Sequence, residues 1–348
     1  MKLLILRPEI EFFEILDKKC SKWIKKKSGI DHALVQYINY KYSSEGITAD
    51  FKKPYNVDIS KYDMIFTGFE YWGYAHLLKN KGNKALIKYK DFLKKIPNEK
   101  LFLPKSYFDF CYDKCKVYES LSKFIRMAPT ECINISKLSI KKILTIVDKW
   151  DYIFMKPIPG EESIDLYSYK KGEDIKELEK YINSIKRKSY DKLVIQKFMP
   201  QFATRTYPEC RTFWVGHKFI VGVKTRQDDD NLGGGYYLNN IRILDPYIQK
   251  KSLEIIKYIE KRFKMKFLMA RLDWGYDKSM GGYFFNEIEV TPGIFNVEMN
   301  ERYGSCRWKY DCVIGDRLIE ILKMKCKREN KRLSSKRKKN RSSSKRKR

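Results

Sequence analysis

The sequence predicts an α/β (α+β) protein in which a small N-terminal α/β unit precedes two further subdomains of mixed helix and strand. Three observations carry this. Short apolar runs alternate with helical patterns near the start. Segments in the last third pair as strands across short turns. Hydrophobic residues make up 43% and aromatics 15% of 348 residues, enough to bury a core and too many for a largely disordered chain.

The elements follow in order. Lys2 to Leu6 is an apolar run and a first strand; Asp63 to Thr67 is another, with Gly68 behind it. Helical patterns cover about Glu9 to Lys26 and Tyr74 to Asn80, and this unit spans residues 1–105. Residues 106–200 form a second unit. It holds a helix from Asp113 to Met127 stopped by Pro129, a helix from Lys137 to Lys149, and a strand from Tyr152 to Met155 running into Lys156-Pro157. A charged helix from Glu173 to Lys188 and a strand from Leu193 to Met199 complete it. In residues 201–326, Arg211 to Val215 and Lys218 to Val223 read as a hairpin turning at Gly216-His217. The polar, glycine-rich Asp228 to Gly235 is a loop. Lys250 to Lys264 is helical, Phe267 to Trp274 and Tyr283 to Thr291 are paired strands joined across Asp277 to Gly282, and Tyr310 to Lys325 is a last helix.

The formal net charge is +30, of which residues 327–348, with 13 Lys/Arg and one Glu, contribute +12. The remainder is basic too, which favours anionic ligands. The low-complexity tail reads as disordered. It suits a nuclear-import signal, a nonspecific nucleic-acid or acidic-partner anchor, or a solubilising extension. No signal peptide and no membrane span are expected, because Arg7, Pro8 and Glu9 end the first apolar run and no run of about 18 apolar residues follows. The eight cysteines lie scattered without a CxxC. That pattern predicts reduced thiols, no zinc site, and a cytoplasmic or nuclear location.

The sharpest chemical feature is Arg271, Asp273, Glu287 and Glu289. Side chains alternate along a strand, so Arg271 and Asp273 share a face, as do Glu287 and Glu289. Leu272, Ile288 and Val290 point the other way. Pairing the strands assembles three carboxylates beside one arginine. Carboxylates so close repel, and a hard divalent cation such as Mg²⁺ relieves that. Lys156 ends a strand before a glycine-containing turn, within reach of a phosphate; Lys114 opens a helix. Gln196 lies in the strand Leu193 to Met199, whose backbone has the groups to read an adenine edge. Glu209, Arg211, Lys224 and Arg226 bracket the hairpin, and arginine forks suit phosphates and carboxylates.

These pieces, in this order, resemble the ATP-grasp superfamily of carboxylate–amine ligases, including D-alanine–D-alanine ligase and the glutamate-adding ligases. The resemblance covers about Asp113 to Gly293 and is most specific in RLDWGYD and NEIEVTPGIF. It implies two subdomains, 106–200 as the lid and 201–326 as the metal-binding part, gripping ATP. It implies Asp273, Glu287 and Glu289 as ligands of Mg²⁺, two ions being expected and Mn²⁺ a substitute. Lys114 and Lys156 match the lysines on the α- and β-phosphates. Gln196, Lys197, Phe198 and Met199 match the adenine-reading segment. Lys224, Arg226 and Asn231 resemble the basic strand and N-x-G-G loop of the glutamate-adding ligases. Arg271, Arg211, Arg226 and Asn231 fall on the catalytic side. The implied reaction joins a small-molecule or peptide carboxylate to an amine through an acyl phosphate. A kinase acting on a hydroxyl of an anionic small molecule, or a non-catalytic ATP-binding assembly factor, keeps the same fold. The sequence departs from the family at Pro159 to Ser163, acidic where the phosphate loop is usually Gly- and Ser-rich, and at Glu289, where Asn is common.

Overall fold

Four consecutive buried residues, Leu3 to Leu6, give β1 (Lys2–Leu6) the pattern of a strand covered on both faces. The computed structural model describes residues 1–6, 30–67, 72–158, 164–188, 190–227, 235–290 and 312–328. The helix expected from Glu9 to Lys26, the phosphate-loop stretch Pro159 to Ser163, most of Asp228 to Gly235, the signature beyond Val290 and most of the basic tail lie outside these.

β1 is the middle of a parallel three-stranded sheet, between β2 (Thr48–Lys52) and β3 (Met64–Phe66). β2 is a strand the sequence reading missed. α1 (Ile30–Tyr42) and α2 (Trp72–Lys94) complete the unit. α2 runs well past Asn80, where the expected helix ended, because the chain only kinks at Gly82 (φ 76°) and resumes.

The helix expected from Asp113 to Met127 is α4 (Lys114–Leu121), which stops short of Met127 and is preceded by a helix not expected from the sequence, α3 (Lys105–Tyr112). Asp113 separates them and caps α4, its Oδ1 accepting from the Lys116 N–H at 3.1 Å. A four-stranded antiparallel sheet follows, built from β4 (Thr130–Asn134), β5 (Tyr152–Ile158), β6 (Tyr167–Lys170) and β7 (Lys192–Lys197) in the order β4-β7-β5-β6. Its helices are α5 (Ile140–Trp150), capped by Ser139, and α6 (Ile175–Lys186), capped by Asp174. β4 and β6, short edge strands, were not expected from the sequence.

The third sheet is five-stranded and antiparallel, with order β10-β9-β8-β11-β12. It comprises β8 (Glu209–Val215), β9 (Lys218–Gln227), β10 (Gly235–Ile241), β11 (Met269–Asp277) and β12 (Gly282–Glu289). α7 (Pro246–Phe263) starts on an Asp245 cap with proline at its first position. The last described helix, α8 (residues 312–328), returns to the N-terminal unit.

Two large clusters hold most of the apolar interior of the described residues, with two small ones beside them. One continuous core joins the parallel sheet, α1, α3 and α4 to the five-stranded sheet, α7 and α8. A separate core, including Ile143, Leu178, Ile182 and Leu193, lies within the four-stranded sheet and its two helices. α8 lies so close to α1 that a Cβ at Gly315 would meet Tyr37 Cδ1 at 2.7 Å. At the next residue, Asp316 Oδ1 accepts from Tyr37 OH (2.6 Å), Tyr42 OH (2.7 Å) and Lys41 Nζ (2.8 Å).

The expectation of uniformly reduced cysteines is overturned. Cys115 on α4 and Cys132 on β4, 17 residues apart, form a disulfide, while Cys111 and Cys210 are buried free thiols. The cysteine argument for a reducing compartment falls with it. Among the described residues no helix is long and apolar enough to cross a membrane.

Two outcomes follow. Leu178 is fully buried in the smaller core, so Leu178→Ala costs about 2–5 kcal/mol there. Hydrogen exchange is expected to rise across residues 130–197 while β1 stays protected. The Asp316 carboxyl is held below its usual range: burial alone would raise it, and hydrogen bonds from Lys41, Tyr37 and Tyr42 override that. A depressed acid stabilises above its unfolded pKa and loses that as pH falls. Asp316→Asn therefore lowers Tm at pH 7, and the deficit closes on acidification below the carboxylate range, as thermal melts at a series of pH values would register.

Candidate functional site

β11 and β12 pair in the register Arg271↔Glu289 and Asp273↔Glu287. Directly opposed residues share a face, so the three carboxylates and the arginine meet as alternation predicts. Leu272 and Ile288, 0% and 4% exposed, face the core behind them. Asp273 is itself 1% exposed.

Cations neutralise this face. Arg271 holds Asp273 through a fork, Nε to Oδ1 at 2.8 Å and Nη2 to Oδ2 at 2.7 Å. Its Nη2 also lies 3.8 Å from Glu287 Oε1. Lys114, the first residue of α4, donates to Glu287 Oε2 at 2.5 Å. Burial alone would raise the Glu287 carboxyl, but Lys114, Lys156 and Arg271 together hold it well below the usual carboxylate range. Asp273 is pushed up to about 6 by burial, Arg271 opposing. Glu289 is pushed up to about 8 by burial and by its neighbour Glu287.

Lys156 comes from β5 in the other sheet, where its register partner is Val194. Burial, and then the nearby Lys114, lower its ammonium to about 8. Lys114, Lys156, Gln196, Thr130, Asn286 and Glu287 line one cleft between the sheets. Asp113 ties the start of α4 to the four-stranded sheet, accepting from Lys192 Nζ at 3.0 Å. Arg126 reaches the opposite way, to the carbonyls of Gly281 and Tyr283.

Of the expected adenine segment, Gln196 is the residue brought to the cleft. The Lys197 and Phe198 amides donate to the Pro129 and Tyr152 carbonyls, both at 2.9 Å. The Phe198 ring packs on Tyr152 and Phe154, and Met199 is buried beside Ala128 and Phe284.

Arg211 pairs in register with Asp273 and bonds Glu209 Oε2 at 2.7 Å. Lys224 and Arg226 are not brought to this face. Lys224 is the register partner of Cys210, one residue out of phase with Arg211↔Val223. The cause is a bulge in β9 at Ile220, between the pairs Phe213↔Val221 and Trp214↔Phe219, which shifts every later residue by one. Asn231 lies outside the described residues. A second bulge, between Asp273 and Trp274 in the β11–β12 register, inserts Asn286. Asn286 Nδ2 thereby donates to Glu209 Oε1 at 3.1 Å, and Thr225 Oγ1 adds a bond to Glu209 Oε2. This half-buried Glu209–Arg211–Asn286 network was missed; the acid before Cys210 and the asparagine beside Glu287 were the only local signs of it.

Three carboxylates offer a donor set of hard oxygens that fits Mg²⁺. As arranged here, the Asp273 and Glu287 oxygens are taken by Arg271 and Lys114, and among the described residues no group of three or more His, Cys, Asp or Glu is set to hold a metal. Cation loading therefore requires the side chains to exchange partners.

No family model matches the chain, and no curated protein matches its sequence. Many solved structures match its fold. The D-cycloserine synthetase DcsG superposes with a TM-score of 0.65 at 12% identity, over 92% of this chain and 100% of that one. The ATP-grasp ligase PsnB complexed with a minimal precursor gives 0.57 at 8%, over 92% and 98%. The D-alanine–D-alanine ligase of Bacillus anthracis complexed with ATP gives 0.57 at 14%, over 94% and 99%. The chain has the ATP-grasp fold.

The Arg271–Asp273 fork makes a direct test. Removing one partner of a buried pair strands the other, at about 3–5 kcal/mol, whereas replacing both is far milder. Arg271→Gln is expected to destabilise strongly, and Arg271→Gln with Asp273→Asn to recover most of the loss in chemical denaturation.

Proposed function

We propose that this chain is a ligase dependent on ATP and Mg²⁺, activating a carboxylate as an acyl phosphate and joining it to an amine. The observation that carries the reading is the approach of Lys114, from α4, and Lys156, from β5, over one carboxylate face. Two ammonium groups so close in a buried cleft repel each other. A polyphosphate relieves that repulsion, and it brings the charge that lets a divalent cation take over the carboxylates. A surface salt-bridge cluster would not draw its lysines from both walls of a cleft. The ATP complex of the D-alanine–D-alanine ligase and the precursor complex of PsnB support nucleotide use and a small or peptide carboxylate substrate.

In this assignment Lys114 and Lys156 bind phosphate oxygens, and Gln196 lies on the adenine side. Asp273, Glu287 and Glu289 would hold Mg²⁺, which neutralises phosphate charge and orients the transferring group. Arg271 and Arg211 face the charge that develops on the transferred phosphoryl. A substrate carboxylate oxygen attacks the γ-phosphorus as the bond to the leaving ADP oxygen breaks. The amine nitrogen then attacks the acyl carbon, loses a proton, and phosphate leaves. Lys224 and Arg226, on the opposite face of the sheet, have no part in this.

The test is release of ADP and phosphate with Mg²⁺, screened over carboxylate and amine pairs. Turnover is expected only when both substrates are present, and Asp273→Asn or Glu287→Gln is expected to lower kcat about 10²–10³-fold. Parental turnover in both variants would remove the metal assignment. A stable phosphorylated product without free phosphate would identify a kinase instead.

A further inference from the structure

We propose that a groove on the N-terminal unit binds a small apolar anion, a carboxylate or sulfonate carried on an aromatic or branched aliphatic body. The groove lies between the second half of α2 and the segment that leaves β2, and it has a volume of ≈ 690 Å³. Small-molecule sites run from about 300 to 1,000 Å³.

The kink at Gly82 sets the geometry. Beyond it, Lys84, Ile87, Lys88, Asp91, Phe92 and Lys95 recur at helical spacing and form one stripe facing the groove. Tyr55 supplies the opposite wall and meets Phe92 edge to face, ring centroids 5.5 Å apart. Both rings belong to or pack on the main core, so the floor is rigid. Tyr55 sits at φ 73°, a region a bulky side chain occupies only when its surroundings impose it. Ile87 stands at the lip with 49% of its surface exposed. A purely solvated lysine face needs neither the sunken aromatic floor nor an exposed isoleucine at its edge.

The charges choose the ligand. Lys88 Nζ lies 4.4 Å from the Tyr55 ring centroid, poised over the floor. The acid of the stripe, Asp91, accepts from Lys94 at 2.9 Å. Among the described residues, Lys84 and Lys95 have no carboxylate partner. The groove is thus apolar below and cationic at the rim, complementary to a ring or branched chain ending in an anion. It seats one such body and not an extended polypeptide. The segment carrying Tyr55 follows the carboxyl end of a parallel strand, the end at which open α/β sheets carry ligands. No group of the proposed ATP site takes part, so this inference stands apart from that reading.

The probes are 8-anilinonaphthalene-1-sulfonate and its uncharged counterpart N-phenyl-1-naphthylamine, titrated by fluorescence into the full chain without nucleotide. Saturable binding of the sulfonate is expected. Lys84→Glu with Lys88→Glu should weaken the sulfonate about tenfold and the neutral dye less than about threefold. Lys84→Arg with Lys88→Arg should retain both, and Ile87→Asp should weaken both. A phenylalkanoate should displace the sulfonate. The proposal is overturned if the double glutamate variant binds the sulfonate like the parent or loses both dyes equally. It is also overturned if an acidic peptide displaces the dye and the phenylalkanoate does not.

Discussion

Charge balance on the face of β11 and β12 is the constraint around which the rest of the molecule is arranged. Asp273, Glu287 and Glu289 stand together on a half-buried surface backed by an apolar core. Such a group of carboxylates cannot remain ionised without nearby cations. One cation, Arg271, comes from the same strand. The others, Lys114 and Lys156, come from α4 and from the four-stranded sheet. Two sheets that share no hydrogen-bonded edge are thus coupled by electrostatics. The same residues that balance the carboxylates here are the ones the proposed function assigns to phosphates.

α4 is the mechanical link in that coupling. Its first turn is held to the four-stranded sheet by Lys192 on Asp113 and by the Cys115–Cys132 disulfide, and to the five-stranded sheet by Lys114 on Glu287. Just beyond it, Arg126 and the Met127↔Phe285 bridge add a second attachment to β12. The division of the core sharpens the point. The four-stranded sheet packs mainly on its own interior, so its position relative to the carboxylates is set by these polar and covalent ties together with two small apolar contacts, Cys115 with Ile158 and Val194, and Met199 with Phe284.

Much of this was legible in the sequence because it rests on local periodicity. Arg271, Asp273, Glu287 and Glu289 obey strand alternation, and their opposition needed only the pairing of neighbouring strands. The turn-side ends of β8 and β9, Val215 and Lys218, were found from the Gly216-His217 turn, while their outer ends at Glu209 and Gln227 run past the expected Arg211 and Val223. What alternation could not give was parity across a bulge. Counting outward from Gly216-His217 pairs Arg211 with Gly222 and puts Lys224 on the same face. The extra residue Ile220 makes the partner Val223 and turns Lys224 and Arg226 away. The extra residue Asn286 likewise brought Glu209 a partner that no spacing announced. Short edge strands such as β4 and β6 carry too few residues to show a period. The Cys115–Cys132 contact joins elements whose approach is set by tertiary packing, which spacing along the chain does not encode.

That disulfide gives the chain two chemical identities. A preparation kept in a dithiol reductant and one left to air differ by two hydrogen atoms, yet only the second carries a covalent tether from the lysine-bearing helix to the sheet above it. For a loop of this length the tether removes about 3 kcal/mol worth of freedom from the unfolded chain. Samples of one sequence, handled in two buffers, are therefore different materials, and their melting curves and nucleotide titrations belong in separate series.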